Sequence, residues 1–165
     1  MDFKITLNRE KMNYLYRGTS HFFEDGIYPN ENLKRPRMPK TTPRNIHEAA
    51  DTWFKERFGI SARSQTVFCT PCKEHASNHF ESGGSLLEIS LVGENNSLIY
   101  CLEVNDFLDL IPADAFTKSS DSNFDIAEKL NGFDYRVAKS IEEIPSDFAG
   151  EVMLFCEKYK VKNVG

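Results

Sequence analysis

Leu15-Tyr16-Arg17-Gly18-Thr19-Ser20 begins as a strand and ends as a candidate site. Tyr14, Leu15 and Tyr16 form a short aromatic and apolar run of β type, which Gly18 is expected to break. A strand ending there presents Arg17 and two hydroxyls where another backbone or a ligand can approach closely. The guanidinium is a planar fork of donors matched to phosphate oxygens, and Thr19 and Ser20 can bind a ribose or a second phosphate. The same six residues also fit an edge strand with a surface arginine and a turn, so the segments around them have to decide.

Upstream, Phe3, Ile5 and Leu7 alternate as an opening strand; downstream, 21–32 is turn-rich, with Gly26 and Pro29. Lys34 to Arg44 then carries five basic residues, no acid and three prolines that keep it extended. Such a loop can grip the phosphate of a small ligand or of a nucleic acid, or simply be solvated. Thr42 reads as an N-cap and Pro43 as the first position of a helix whose apolar face is Ile46, Ala49, Ala50, Trp53 and Phe54, stopped by Gly59. Thr66 to Thr70 is β-rich, and Thr70-Pro71 reads as the cap of a short helix reaching about Phe80. Leu86 to Leu91 and Leu98 to Val104 are strands that the Gly93-Glu94-Asn95-Asn96 turn would join as a hairpin. Asp106 to Ile111 reads as a short helix and 112–123 as a surface loop. A helix beginning at Ser122 or Asn123 then ends at Asn131-Gly132. After a weak strand at Phe133 to Ala138, Glu151 to Cys156 is a strong buried strand and Tyr159 to Val164 an alternating one.

Composition narrows the class. The 165 residues suit one domain, 1–165, and 13 Phe with 6 Tyr supply a core. A formal charge of -5 argues against general nucleic-acid coating. No run is long enough for a membrane span, the first residues do not form a secretory signal, and four Cys in this length are no disulfide framework, so a cytoplasmic, reducing location is expected.

Two sets of residues carry chemistry. One is compact: Cys69-Thr70-Pro71-Cys72 with His75 and His79. A strand running into Cys-x-Pro-Cys at a helix start suits a thiol redox centre, because a helix N-terminus favours thiolate. The same four side chains as a zinc site would sit within eleven residues, whereas finger sites separate their ligand pairs widely, so no metal is expected. The other set is dispersed: Arg17 at one strand end, Ser64, Thr66 and Thr70 around a second, and Glu151, after Ala149-Gly150, at the head of a third. A carboxylate there is held by the sheet ladder and can point into a cleft; alone, it also reads as a charge closing a loop.

The order Leu15-Tyr16-Arg17-Gly18-Thr19-Ser20, then Thr66-Val67-Phe68-Cys69-Thr70 leading into a helix with Ala76, then Gly150-Glu151-Val152-Met153, resembles an ADP-ribosyltransferase domain. The resemblance spans most of the chain. It implies an α+β fold of small mixed sheets around an NAD cleft with peripheral helices. NAD would be the substrate, ADP-ribose would pass to a macromolecular acceptor, and nicotinamide would be released. By the same resemblance Arg17, Gly18, Thr19 and Ser20 hold NAD, and Phe68 stands where one branch has a Tyr stacked on nicotinamide. Thr70, or else Ser64 or Thr66, would position the catalytic Glu, and Glu151 would be that residue. Ala149 stands where arginine-modifying members carry Glu or Gln, which points to an acceptor other than arginine. A protein or nucleic-acid acceptor would dock on the Lys34 to Arg44 loop, as expected of a phage or bacterial modifier of a host component. The alternatives are an inactive binding module on the same fold and a Cys69/Cys72 thiol redox protein.

Overall fold

A computed structural model describes residues 14–80, 82–117 and 123–165. The expected strand at Phe3 to Leu7 lies outside them. Among the described residues eight strands form two four-stranded antiparallel sheets. The first has the order β1 (Leu15–Thr19), β4 (Ser85–Leu91), β8 (Lys158–Asn163), β2 (Gly26–Pro29). The second has the order β3 (Val67–Cys69), β7 (Val152–Phe155), β5 (Ser97–Tyr100), β6 (Arg136–Ala138). The helices among the described residues are α1 (Arg44–Phe58), α2 (Lys73–Ser77), α3 (Ala113–Thr117) and α4 (Ile126–Asn131), with three 3-10 turns.

The layering follows from which strands are apolar on one side and which on both. Leu15, Leu87, Ile89, Tyr159 and Val161 of the first sheet pack against Val67, Leu98, Tyr100, Val152 and Leu154 of the second. The first sheet exposes alternate residues of β8, including Lys158, Lys160 and Lys162, as a sheet wet on one face should. β5 is buried at every position because Ile99 turns the other way, with Met153 of β7, onto Ile46, Ala50, Trp53, Phe54, Ile126 and Leu130 of the helices. An unbroken apolar strand is what a sheet covered on both faces requires. Trp53 is core, its indole N–H donating to Asn131 Oδ1 at 2.8 Å.

The expected hairpin does not form. β4 pairs with β1 and β8, and β5 with β6 and β7, so the turn at Gly93 carries the chain from one sheet to the other. Gly93 has φ +76, and buried Asn96 donates from Nδ2 to the carbonyls of Val92 (3.3 Å) and Gly93 (3.1 Å).

Several boundaries shift for local reasons. Gly18 does not end β1: it sits within the strand opposite Leu86, where the missing side chain admits the backbone of the α2 segment. Residues 21–32 contain β2 and a 3-10 turn at Glu31–Leu33, capped by Asn30. Helix α1 starts one residue later than expected, at Arg44 with Pro43 as its N-cap; Ala49 is exposed and His47 is buried in its place. Gly59 closes it in the left-handed conformation, φ +77, as a Cβ-free C-cap can. Helix α2 begins at Lys73 after Cys72, because the Thr70 hydroxyl takes the Cys72 N–H and turns the chain first. Asp125 rather than Ser122 or Asn123 caps α4, accepting from the Glu128 N–H, and the 112–123 loop includes α3. The stretch Asp106 to Ile111 is a 3-10 turn capped by Asp106.

A Cβ at position 18 would overlap the Ala76 carbonyl oxygen and stand 2.8 Å from both His79 C and Phe80 N, all of them backbone. Gly18→Ala should therefore destabilise the protein by about 1–3 kcal/mol, the usual cost of overpacking. Chemical denaturation beside a surface control such as Gly132→Ala measures it; an unchanged midpoint would mean that α2 moves away freely.

Candidate functional site

Two strand contacts bring distant residues together. Tyr16 and Thr70 exchange backbone hydrogen bonds, Tyr16 N–H to Thr70 O at 2.7 Å and Thr70 N–H to Tyr16 O at 2.9 Å. This bridge ties the edge of the first sheet to β3, and β3 pairs with β7 through Cys69 and Val152. Arg17, Thr70 and Glu151 consequently face a single cleft of about 720 Å³, with Gly18 and Phe68 also in its wall. The wall also includes residues 37–42 of the basic loop, His47, Arg63, the later part of α2 from His75 with Asn78 and His79 beyond it, and the turn at Asn105-Asp106.

Glu151 lies one residue before β7, its N–H donating to the Asn105 carbonyl at 2.9 Å. Its Oε1 accepts from Arg63 Nη1 at 2.9 Å, a pair with 7 % and 18 % of its side chains exposed. Arg63 is held from every side. Its guanidinium lies 4.3 Å from the Phe68 ring centre and 4.0 Å from that of Phe107, and its backbone N–H donates to Asp51 Oδ1 of α1 at 2.9 Å. A second guanidinium, Arg37, lies 3.7 Å from the Phe68 centre and donates to the carbonyls of Arg63 (2.9 Å) and Thr66 (2.6 Å). Burial, then the nearby charges of Arg63 and Arg17, lower its pKa to about 10, so it stays cationic at neutral pH. His47, also in the wall, is pulled below its ordinary value by burial and is neutral at pH 7.

The hydroxyls divide sharply. Thr70 Oγ1 donates to the Ala149 carbonyl at 3.0 Å, and His75 Nδ1 meets the same oxygen at 2.5 Å, so the loop entering Glu151 is pinned from β3 and α2. Thr70 therefore holds the backbone two residues before the carboxylate rather than the carboxylate itself. Ser64 and Thr66 are buried outside the cleft wall, Ser64 Oγ donating to Asp51 Oδ2 at 2.5 Å and Thr66 Oγ1 to the Ala62 carbonyl at 2.6 Å. Thr19 is turned inward too, donating to the His21 carbonyl at 2.6 Å, and exposed Ser20 also lies off the cleft. Ser64, Thr66 and Thr19 are structural, because their hydroxyls are already spent on Asp51 and on backbone carbonyls, and Ser20 is peripheral. Phe68 reaches the cleft, but its ring already carries two guanidiniums in place of a bare stacking face.

Sequence reasoning missed Arg63, a single Arg between Ala62 and Ser64 whose partner is 88 residues away. In the sequence Arg37 is one of five basic residues in its loop; what sets it apart is that it folds inward while Lys34 and Arg35 stay exposed. The compact Cys/His set does not converge. Cys69 is buried on β3 with its thiol donating to the Val67 carbonyl at 3.5 Å, and desolvation pushes its pKa up to about 12, the reverse of what a redox nucleophile needs. Among the described residues no three His, Cys, Asp or Glu side chains are grouped to hold a metal ion, and no helix is long and apolar enough to cross a membrane. No protein-family model, curated protein or solved structure matches the chain.

Of the four free cysteines only Cys72 is not buried. A thiol reagent at pH 8 should label one cysteine in the native protein and all four after denaturation, as peptide mapping can show. Rapid native labelling of Cys69 would contradict its burial.

Proposed function

We propose that the chain is an NAD-consuming ADP-ribosyltransferase, with the cleft between β1, β3 and β7 as its active site. The observation that carries this reading is the convergence of Arg17, Thr70 and Glu151, from three well-separated segments, on one cationic cleft with a single strand-end glutamate. An acidic protein that gathers Arg17, Arg37, Lys40 and Arg63 around one cavity has a site built for a negatively charged ligand of nucleotide size.

The chemistry follows from where charge appears. As the bond between ribose C1′ and the nicotinamide nitrogen breaks, its electron pair leaves with nicotinamide and positive charge develops on the ribose ring. Glu151, one oxygen tied to Arg63 and the other left for a ligand, stabilises that charge more than it stabilises the ground state. Arg63 keeps the carboxylate aimed, and Thr70 with His75 prevents its loop from drifting. An acceptor nucleophile then forms the new bond to C1′ and releases its proton to solvent. The exposed rim at Met38 and Lys40 is where a protein or nucleic-acid acceptor would approach, since this part of the basic loop lines the same cleft. Phe68 supports Arg37 and Arg63 and is given no role in stacking nicotinamide.

Glu151→Gln tests the reading without emptying the site, because the amide oxygen can still accept from Arg63. Nicotinamide release from NAD, with and without cell lysate, should fall about 100- to 1000-fold, the usual effect of removing one electrostatic stabiliser. NAD binding should persist. Release that is undiminished in the variant, or absent in the native protein under both conditions, would overturn the assignment.

A further inference from the structure

Among the described residues, Arg37 is a cation with no ion pair of its own. Its two recorded acceptors are neutral backbone carbonyls, and among the described residues no carboxylate lies within ion-pairing distance of it. Of the two acids in the cleft wall among the described residues, Glu151 is paired with Arg63, and Asp106 accepts from the Leu108 N–H and makes no ion pair with a cleft guanidinium. The neighbours that press on Arg37 most strongly are cations, Arg63 and Arg17, so the fold holds like charges together in a half-dry cavity. Such an arrangement is costly until an anion enters. It is also rigid: Phe68 supports the guanidinium plane, two of its N–H groups are anchored, and the rest of the donor fork is left for a ligand. Arg17, by contrast, comes from β1 with no recorded partner among the described residues and supplies a second donor fork at the same cleft.

We infer that Arg37 and Arg17 together form an anion subsite for the phosphates of a phosphate-bearing ligand, with Arg37 as the fixed anchor. A planar fork suits tetrahedral phosphate oxygens, and two forks in one cavity suit adjacent phosphates better than one small anion. That the occupant is the pyrophosphate of a dinucleotide rests on the transferase reading above; the subsite does not. The basic loop thereby gains a specific purpose: of its five cations, Arg37 serves the ligand inside, whereas Arg35 points to solvent.

Calorimetric titration of the full chain with inorganic pyrophosphate, at constant ionic strength and pH 7, tests this. Binding should be measurable and should weaken roughly 10- to 100-fold in Arg37→Met and in Arg17→Met, the effect of losing a charged hydrogen-bond partner. Arg37→Lys should fall between, and Arg35→Met should bind like the native protein. If Arg37→Met unfolds on melting, Arg17→Met and the pyrophosphate-induced rise in melting temperature of the native chain decide the matter. Absence of pyrophosphate binding, or an equal loss in Arg35→Met, would overturn the subsite. Binding lost in both cleft variants but without NAD cleavage by the native chain would leave the subsite standing and remove the transferase assignment. NAD cleavage that survives in both variants, without pyrophosphate binding, would do the opposite.

Discussion

The two backbone hydrogen bonds between Tyr16 and Thr70 are the constraint on which the rest of the site depends. They fasten the edge of one sheet to an edge strand of the other at a single point, and everything functional is arranged around that join. On one side Gly18 lets α2 come into backbone contact with β1, which delivers His75 to the Ala149 carbonyl. On the other, β3 hands its register to β7 and so fixes where Glu151 emerges. A single weak bridge can do this because the neighbouring strands are already held by full ladders and by packed apolar faces.

Around the join, charge is organised by neutral groups. Asp51 spends its carboxylate on two backbone N–H groups and the Ser64 hydroxyl, fixing the bend that carries Arg63. Aromatic rings flank Arg63, and carbonyls hold Arg37. Buried ion pairs often break even in stability, so the Arg63–Glu151 pair makes better sense as a device that orients a carboxylate than as a source of folding energy.

Elements with a strong local signal were readable from the residues: the α1 face through Ile46, Ala50, Trp53 and Phe54, its Gly59 stop, and the apolar β5 and β7. Arg17, Thr70 and Glu151 were also found, and they meet. What could not be read was partnership. Gly93 to Asn96 has good hairpin chemistry, yet whether two strands pair or part depends on which faces each must bury, and that is decided by strands far away in the sequence: β1 and β8 for β4, β6 and β7 for β5. Arg63 has no motif around it, and Ser64 and Thr66 were indistinguishable from ligand-binding hydroxyls until their bonds to Asp51 and Ala62 were visible. Gly18 was recognised as important for the wrong reason: it does not interrupt a strand but makes room beside one.

The crossover at Gly93 has a consequence for how the chain acquires its shape. Among the described residues no strand forms a tight hairpin with the next; even β5 and β6, which do pair, are separated by two helices. The last two strands, β7 and β8, each occupy an interior position, one in either sheet. Neither sheet can close until residues 152–163 are in place, so during synthesis the earlier strands must wait, with apolar faces uncovered, for the end of this segment to clear the ribosome. A topology dominated by distant pairings folds slowly and is exposed to misassociation meanwhile. The cleft, assembled from β1, β3 and β7, therefore cannot exist before β7 has been made: no activity can come from this site until the chain is built through residue 155.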